Sequence, residues 1–299
     1  MKISFNQNFT LPHDLISALK TNGLSIQDEQ RAISYLNNIG YFRLSAYFYP
    51  LLKKPKTDGA FKFGTTFDMA LDMYRFDRKL RILLFNEIEK IEVAIRSTMN
   101  NWISDGLGDV FWMTEAKYFN NPSFFAKRLD IIEAELDNSD EDFIIRFKNN
   151  YSNPYPPAWM IAEIIPFGVL CKTFNDLKYK SIKKKIAGYF GLSLPVFSSW
   201  TISLVNLRNL CGHHNRTWNK QLPINSHVLN NPAFPWVNLA STDIKRIYFR
   251  ICIIKYLLFT VSPNNTFTQK LKALLDDFPT IDIKVMGFPP NWHSEPLWQ

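Results

Sequence analysis

An all-α fold, a multi-helix bundle with few or no strands, is what this sequence predicts, on three observations. Glycine is scarce, 11 in 299 residues, while phenylalanine reaches 25, so the many tight turns of a β-sandwich or barrel are poorly supplied. Apolar residues make up 46% of the chain, ample for a sizeable core, and charged residues make up 21%. Apolar positions also recur at three- and four-residue steps in several segments, which is the helical period.

In chain order, residues 12–22 open at Pro12, suited to a first helical turn, carry Leu15, Ile16 and Leu19, and stop at Asn22-Gly23. Asp28 is placed to cap a second helix bearing Ala32, Ile33 and Leu36. An aromatic cluster follows, Tyr41, Phe42, Tyr47, Phe48 and Tyr49 around Arg43, and core packing explains it more simply than base stacking. Residues 50–64, with Pro55, Asp58 and Gly59, read as a loop or irregular hairpin. A long helix is predicted over 67–104, where Leu80, Leu84, Ile88, Ile91 and Ile95 form one stripe. Arg75, Arg78, Lys79, Arg81, Glu87, Glu89, Lys90 and Glu92 furnish its charged face, most of them expected as solvated i,i+4 partners.

Further helices are predicted over 121–139 and 141–149, before Asn153-Pro154-Tyr155-Pro156-Pro157 interrupts the pattern. That break divides an N-terminal helical region, 1–152, from a second, 153–299, as layers of one compact body. Residues 159–177 read as one helix bent near Pro166-Phe167-Gly168. The lysines Lys178, Lys180, Lys183, Lys184 and Lys185 follow, either a basic contact surface or a solvated helix end with cations near its C-terminus. Pro195 opens a helix through Phe197, Trp200, Leu204, Leu207 and Leu210, and 243–262 is the last helix expected. The aromatic tail from Met286 to Trp298 reads as docked on the body.

The formal net charge is +8 and the pI about 9.2, which favours a polyanionic partner, nucleic acid or an anionic surface. Cys171, Cys211 and Cys252 are widely spaced and odd in number, so neither a disulfide framework nor a zinc ribbon is signalled, and three reduced thiols are expected. The start, from Met1 to Gln7, lacks the apolar run of a secretory leader, and the greasy stretch 251–261 is too short to span a bilayer. A cytoplasmic protein without a membrane partner is the expectation.

The chemistry-bearing stretch is Arg208-Asn209-Leu210-Cys211-Gly212-His213-His214-Asn215-Arg216. Asn209 and His213 are four apart and share a helical face, and the long side chain of Arg208 can bend toward it. An imidazole moves protons near neutral pH, and a guanidinium forks onto phosphate oxygens. Those are the groups needed when a ribose 2′-hydroxyl attacks its own phosphodiester, a reaction that requires no metal. His213 and His214 could alternatively ligate a metal, but no Asp, Glu or Cys stands at a clear ligand spacing. Arg216 and Trp218 could simply pack together.

Several stretches carry a resemblance. They are Tyr41-Phe42-Arg43-Leu44-Ser45-Ala46-Tyr47, Tyr74-Arg75-Phe76-Asp77-Arg78-Lys79-Leu80-Arg81 and Ile88-Glu89-Lys90-Ile91-Glu92-Val93-Ala94-Ile95-Arg96. With them go Pro156-Pro157-Ala158-Trp159-Met160, Phe167-Gly168, residues 207–219, Met286-Gly287-Phe288-Pro289 and Asn291-Trp292. In this order the chain resembles the AbiD/AbiF-type abortive-infection proteins, a phage-resistance family of the HEPN superfamily. The resemblance implies a HEPN-like helical core in 153–299 and a phage-defence endoribonuclease. Its catalytic residues would be Arg208, Asn209 and His213, with His214 and Glu163 auxiliary. RNA would lie on Arg216, Lys178, Lys180, Lys183, Lys184 and Lys185, and no metal or small-molecule cofactor is implied. The family pairs two such motifs in one cleft and this chain shows one, so a homodimer follows, with RNA as substrate and as a bound regulator. A non-catalytic ribonucleoprotein scaffold is the alternative.

Overall fold

A computed structural model of the chain describes residues 9–224 and 226–299. The opening stretch read above for a leader lies outside the described residues. Twelve α-helices form among the described residues, and β-pairing is confined to three isolated bridges. The predicted all-α class is therefore the observed one.

The chain divides into two compact units, residues 1–80 with 273–281, and residues 81–272 with 282–299. The division falls inside a long helix, whereas the sequence reading placed its boundary at the prolines of 153–157. Those prolines turn the chain within the second unit.

The first unit holds α1 (Pro12–Thr21), α2 (Glu29–Ile39), α3 (Tyr41–Phe48) and the start of α4 (Phe67–Leu107). Asp28 caps α2 as expected, its carboxylate accepting the Arg31 N–H at 2.9 Å. The aromatic cluster is itself helical: Gly40, at φ 86°, breaks from α2, and Leu44, Tyr47 and Phe48 then bury one face. Residues 49–64 form the expected irregular hairpin, with Lys53 N–H on the Ala60 carbonyl (2.8 Å) and Lys62 N–H on that of Leu51 (2.9 Å). The Tyr47 hydroxyl donates to Asp77 at 2.6 Å, and Arg75 reaches the Tyr35 hydroxyl at 2.6 Å.

In the second unit α4 continues, followed by α5 (Pro122–Asp137), α6 (Asp142–Asn150), α7 (Ala158–Ile164) and α8 (Phe167–Asp176). After these come α9 (Lys180–Tyr189), α10 (Leu194–Gly212), α11 (Ile247–Val261) and α12 (Phe267–Asp277), the last of which is shared by both units. Leu84, Ile88, Ile91, Ile95, Met99 and Ile103 of α4 are fully buried, as their period requires. The charged face is another matter, because Arg81, Glu87 and Arg96 are buried as well, the first two against the expectation of solvated pairs.

The helix expected over 159–177 is two helices. Ile165 is extended (ψ 148°) because Pro166 excludes the α region from its predecessor, and α8 starts afresh behind the proline. The last predicted helix begins at Ile247; before it, the Asp243 carboxylate accepts the Lys245 N–H at 2.9 Å and makes a turn. The tail is docked as expected, with Leu297 and Trp298 buried and the Trp298 indole 3.1 Å from the Tyr248 hydroxyl.

All three cysteines are buried and none is in a disulfide, and burial pushes Cys171 and Cys252 upward, which keeps them protonated. No single helix among the described residues is long and apolar enough to cross a membrane. Ile91→Ala, a truncation at the centre of the α4 stripe, should lower unfolding free energy by about 2–5 kcal/mol in urea denaturation.

Candidate active site

Two helices of the second unit build the site. α10 brings Arg208 and Asn209 in its last turns, and α4 meets them with Phe85, Glu92 and Arg96. Close packing of α8 on α10 sets the position: a Cβ on Gly168 would stand 3.2 Å from Val205 Cγ1, and Phe174 meets Phe197 edge-on at 5.3 Å.

The break at Pro166 leaves helix-end carbonyls without intrahelical partners. Arg96 takes two of them, donating Nη1 to the Ile165 carbonyl at 3.0 Å and to that of Ala162. Its Nε and Nη2 donate to Glu92 Oε1 at 3.2 and 2.6 Å, a forked contact. Glu92 Oε2 then stands 3.6 Å from Arg208 Nε. The Arg96 and Glu92 side chains are only 10% and 12% exposed, whereas Arg208 is 42% exposed. One largely buried carboxylate therefore faces two guanidiniums, one sealed in the protein and one emerging from it.

Arg208 lies over the Phe85 ring at 5.7 Å, and its Nη1 is 3.4 Å from Asn209 Oδ1. Its Nε is buried and makes no hydrogen bond, so the Glu92 charge alone holds that edge. The end of the guanidinium is what remains for a ligand. Asn209, Gly212 and His213 are exposed beside it, and the His213 N–H bonds to the Asn209 carbonyl at 2.9 Å.

Gly212 does not stop α10; it is the last helical residue. The stop is made by the next three. His213 caps the helix, the His214 N–H reaches the Cys211 carbonyl (3.1 Å), and the Asn215 N–H reaches back to Leu210 (2.9 Å). This is a Schellman end, in which the left-handed position belongs to His214, at φ 57°, where glycine is usual. A Cβ on Gly212 would meet Phe85 at an ordinary 3.6 Å, so the protein's own packing does not demand glycine there.

The remaining sequence candidates are spread out. Glu163 is exposed on α7 and lines a cavity of about 490 Å³ with Glu135, Asp140 and Glu141; the carboxylate facing Arg208 is Glu92. Arg216 is half-buried just past the helix end, next to buried Thr217 and Trp218. Of the lysines, Lys183 is buried, donating to the Asn175 carbonyl at 3.0 Å, and burial lowers its pKa. Lys178 donates to the Lys117 carbonyl at 2.8 Å. Lys180, Lys184 and Lys185 are exposed, Lys185 over the Trp102 ring at 4.9 Å. Trp102 is ten residues beyond Glu92 on α4, so Lys185 stands about 15 Å along that axis from the arginine site. These lysines occupy the N-terminal part of α9, not the C-terminal end where the macrodipole would favour them.

Sequence reasoning passed over Glu92 and Arg96 because an i,i+4 pair looks the same whether solvated or buried. The available signal was Pro166, which had to leave carbonyls in need of a donor. Glu92→Ala, which strands the buried Arg96 charge, should cost about 3–5 kcal/mol in a denaturant titration, and Glu92→Gln should cost less.

Among known families, a model described as Abi-like protein matches residues 34–219. Neither a curated protein nor a solved structure matches the chain significantly. The matched span takes in the helices that carry Glu92, Arg96, Arg208 and His213. The chain thus belongs to the Abi-like protein family, and its role is in abortive infection, the bacterial defence against phage.

Proposed function

We propose that this Abi-like protein is a HEPN-type endoribonuclease that cuts RNA in the cytoplasm of the infected cell by attack of the ribose 2′-hydroxyl. The observation that carries the reading is Arg208, its Nε 3.6 Å from a largely buried carboxylate and its outer edge exposed, with an exposed His213 five residues further on at the cap of the same helix. An arginine anchored on one edge loses less side-chain freedom on gripping a phosphate with the other.

The 2′-oxygen attacks the adjacent phosphorus and gives its proton to an imidazole acting as base. The P–O5′ bond breaks, and O5′ takes a proton from an imidazolium acting as acid. The products are a 2′,3′-cyclic phosphate and a 5′-hydroxyl. Because the nucleophile is internal to the RNA, the scheme needs no metal-bound water. Arg208 stabilises the extra charge on the equatorial phosphoryl oxygens, and Asn209 orients the guanidinium or the phosphate.

One imidazole cannot be base and acid within a single displacement. We assign the acid–base role to His213, which follows Asn209 by four residues in the Arg208-Asn209-His213 motif, and draw the second imidazole from a second protomer. The homodimer would join the two motifs in one cleft, and Gly212, open on this surface, would let the opposing backbone or the strand come close. Lys180, Lys184 and Lys185 would then bind phosphates further along the RNA. A free nuclease would poison its host, which calls for restraint by a bound RNA or by a switch at infection.

Expression of wild type, Arg208→Ala and His213→Ala, followed by growth, plaque counts and mapping of new 5′-hydroxyl RNA ends, tests this. Each substitution should abolish growth arrest and reduce those ends at least a hundredfold; equal phenotypes for all three remove the enzyme. RNA bound but uncut by wild type would favour the ribonucleoprotein scaffold. Gly212→Ala should raise stability by about 0.5–1 kcal/mol, as alanine does in a helix, while lowering cleavage; unimpaired cleavage there would argue against close approach at this face.

A further inference from the structure

The first unit carries a basic, aromatic surface that the nuclease reading does not use. It is built from α3, the 3₁₀ turn Tyr49–Leu51 that prolongs it, and the hairpin reaching to Gly64. Within this short stretch the phenylalanines fall into two sets. Phe48 and Phe61 are buried, at 3% and 4% exposure, and meet edge-on at 5.9 Å. Phe42 and Phe63 are 92% and 102% exposed, and Tyr49 is 55% exposed. The first set explains why the segment folds. The second set stands in water, with nothing gained by the fold from its rings.

Charge accompanies the exposed set. Lys53, Lys54, Lys56 and Lys62 lie within ten residues, with Asp58 the one acid among them. Lys56 sits 3.8 Å over the Tyr49 ring and donates to the Tyr49 carbonyl at 2.9 Å; Lys62 donates to that of Pro50 at 2.8 Å. These contacts fasten the hairpin onto the end of α3. Lys53 and Lys54 are left exposed. After burial, the nearby Lys62 and Lys54 charges are what lower the Lys56 pKa, as expected where like charges crowd.

Phe42 and Tyr49 are seven residues apart, so they fall on one side of the helical ribbon, about 10 Å apart along its axis. We propose that this surface is a binding site for single-stranded RNA, in which Phe42 and Phe63 stack on unpaired bases while Lys53 and Lys54 contact the phosphates. Rings without a core role next to uncompensated lysines are what a flexible strand requires, since every base offers a π-face and every linkage a charge. A duplex offers the charge but keeps its bases stacked away. The choice of RNA over an anionic lipid surface rests on the nuclease reading. The test measures binding and not cleavage, so each of the two can fail without the other.

The experiment uses the full chain with His213→Ala, to keep RNA intact, and a fluorescein-labelled unstructured 20-nucleotide RNA read by anisotropy over a salt series. Lys53→Glu with Lys54→Glu should weaken binding at least tenfold. It should also reduce the slope of log K against log salt by about 1.4, from two phosphates at about 0.7 each. Phe42→Ala and Phe63→Ala should each weaken binding about tenfold while leaving a 20-base-pair RNA duplex unaffected. All of these side chains are exposed, and an unchanged melting temperature controls for the fold. Unchanged affinity in every variant overturns the site, and loss with the lysine pair alone overturns the stacking. If the variants keep RNA affinity but lose binding to phosphatidylserine vesicles, the surface belongs to a membrane and the proposal fails.

Discussion

A carboxylate held out of water between two guanidiniums is the constraint on which the candidate site depends. Moving Glu92 and Arg96 out of bulk solvent costs several kcal/mol per ion, and their attraction offsets this only if the other donors and acceptors are also satisfied. The fold meets that condition with backbone. Pro166 interrupts what would otherwise be one helix, the Ala162 and Ile165 carbonyls lose their intrahelical partners, and Arg96 binds both. With Arg96 saturated by two carbonyls and one carboxylate oxygen, the other oxygen of Glu92 is left facing Arg208. A proline on one helix thereby governs the charge environment of a residue on another, through a path in which each step is a hydrogen bond or an ion pair.

The end of α10 shows the same economy. A Schellman end is favoured when glycine takes the left-handed position, because a Cβ there crowds the backbone. Here a histidine takes it, at φ 57°, and the glycine sits two residues earlier in ordinary helical conformation. The order Gly-His-His, not His-Gly or His-His-Gly, keeps the last helical position bare and puts His213 at the cap, exposed, with its N–H still tied to Asn209. Beyond it, buried Thr217 and Trp218 return the chain to the body, so the histidine pair lies at the apex of a fixed turn and not on a loose loop.

What could be read from the sequence was whatever depends on local period and punctuation. The α4 stripe, the Asp28 cap, the hairpin after Pro50 and the break at 153–157 follow from spacing and from proline and glycine chemistry, and they agree with the structure. Tyr41–Phe48 was not recognisable as a helix, since eight residues with four aromatics show composition more clearly than period. α12 went unread although Phe267, Leu271 and Leu274 stand at helical spacing among polar residues and bury one face. The motif Arg208-Asn209-His213 was legible as chemistry, but its support was not. Whether Glu92 faces solvent or a second arginine is decided by a helix more than a hundred residues further along in the chain, α10, and no local pattern carries that information.

Several residues stand where helix and core preferences alone would not place them. Lys180 sits in the first turn of α9, at the positive end of its dipole, where a cation costs some tenths of a kcal/mol that the other end would have returned. Phe42 and Phe63 leave whole rings in water while Phe48 and Phe61 nearby are buried. His214 occupies a conformation that glycine adopts at less cost. Stability selects against each of these choices, and in a chain whose other local signals agree with its fold, such exceptions concentrate where something besides stability is being selected. All of them place cations, unpaired rings or imidazoles at the surface, the groups that phosphates and unstacked bases attract. A chain of net charge +8 could have met a general need for solubility with lysines on the far ends of its helices. Phosphates and unstacked bases together are what the proposed RNA would bring to these positions, whereas charge alone gives no reason for the rings.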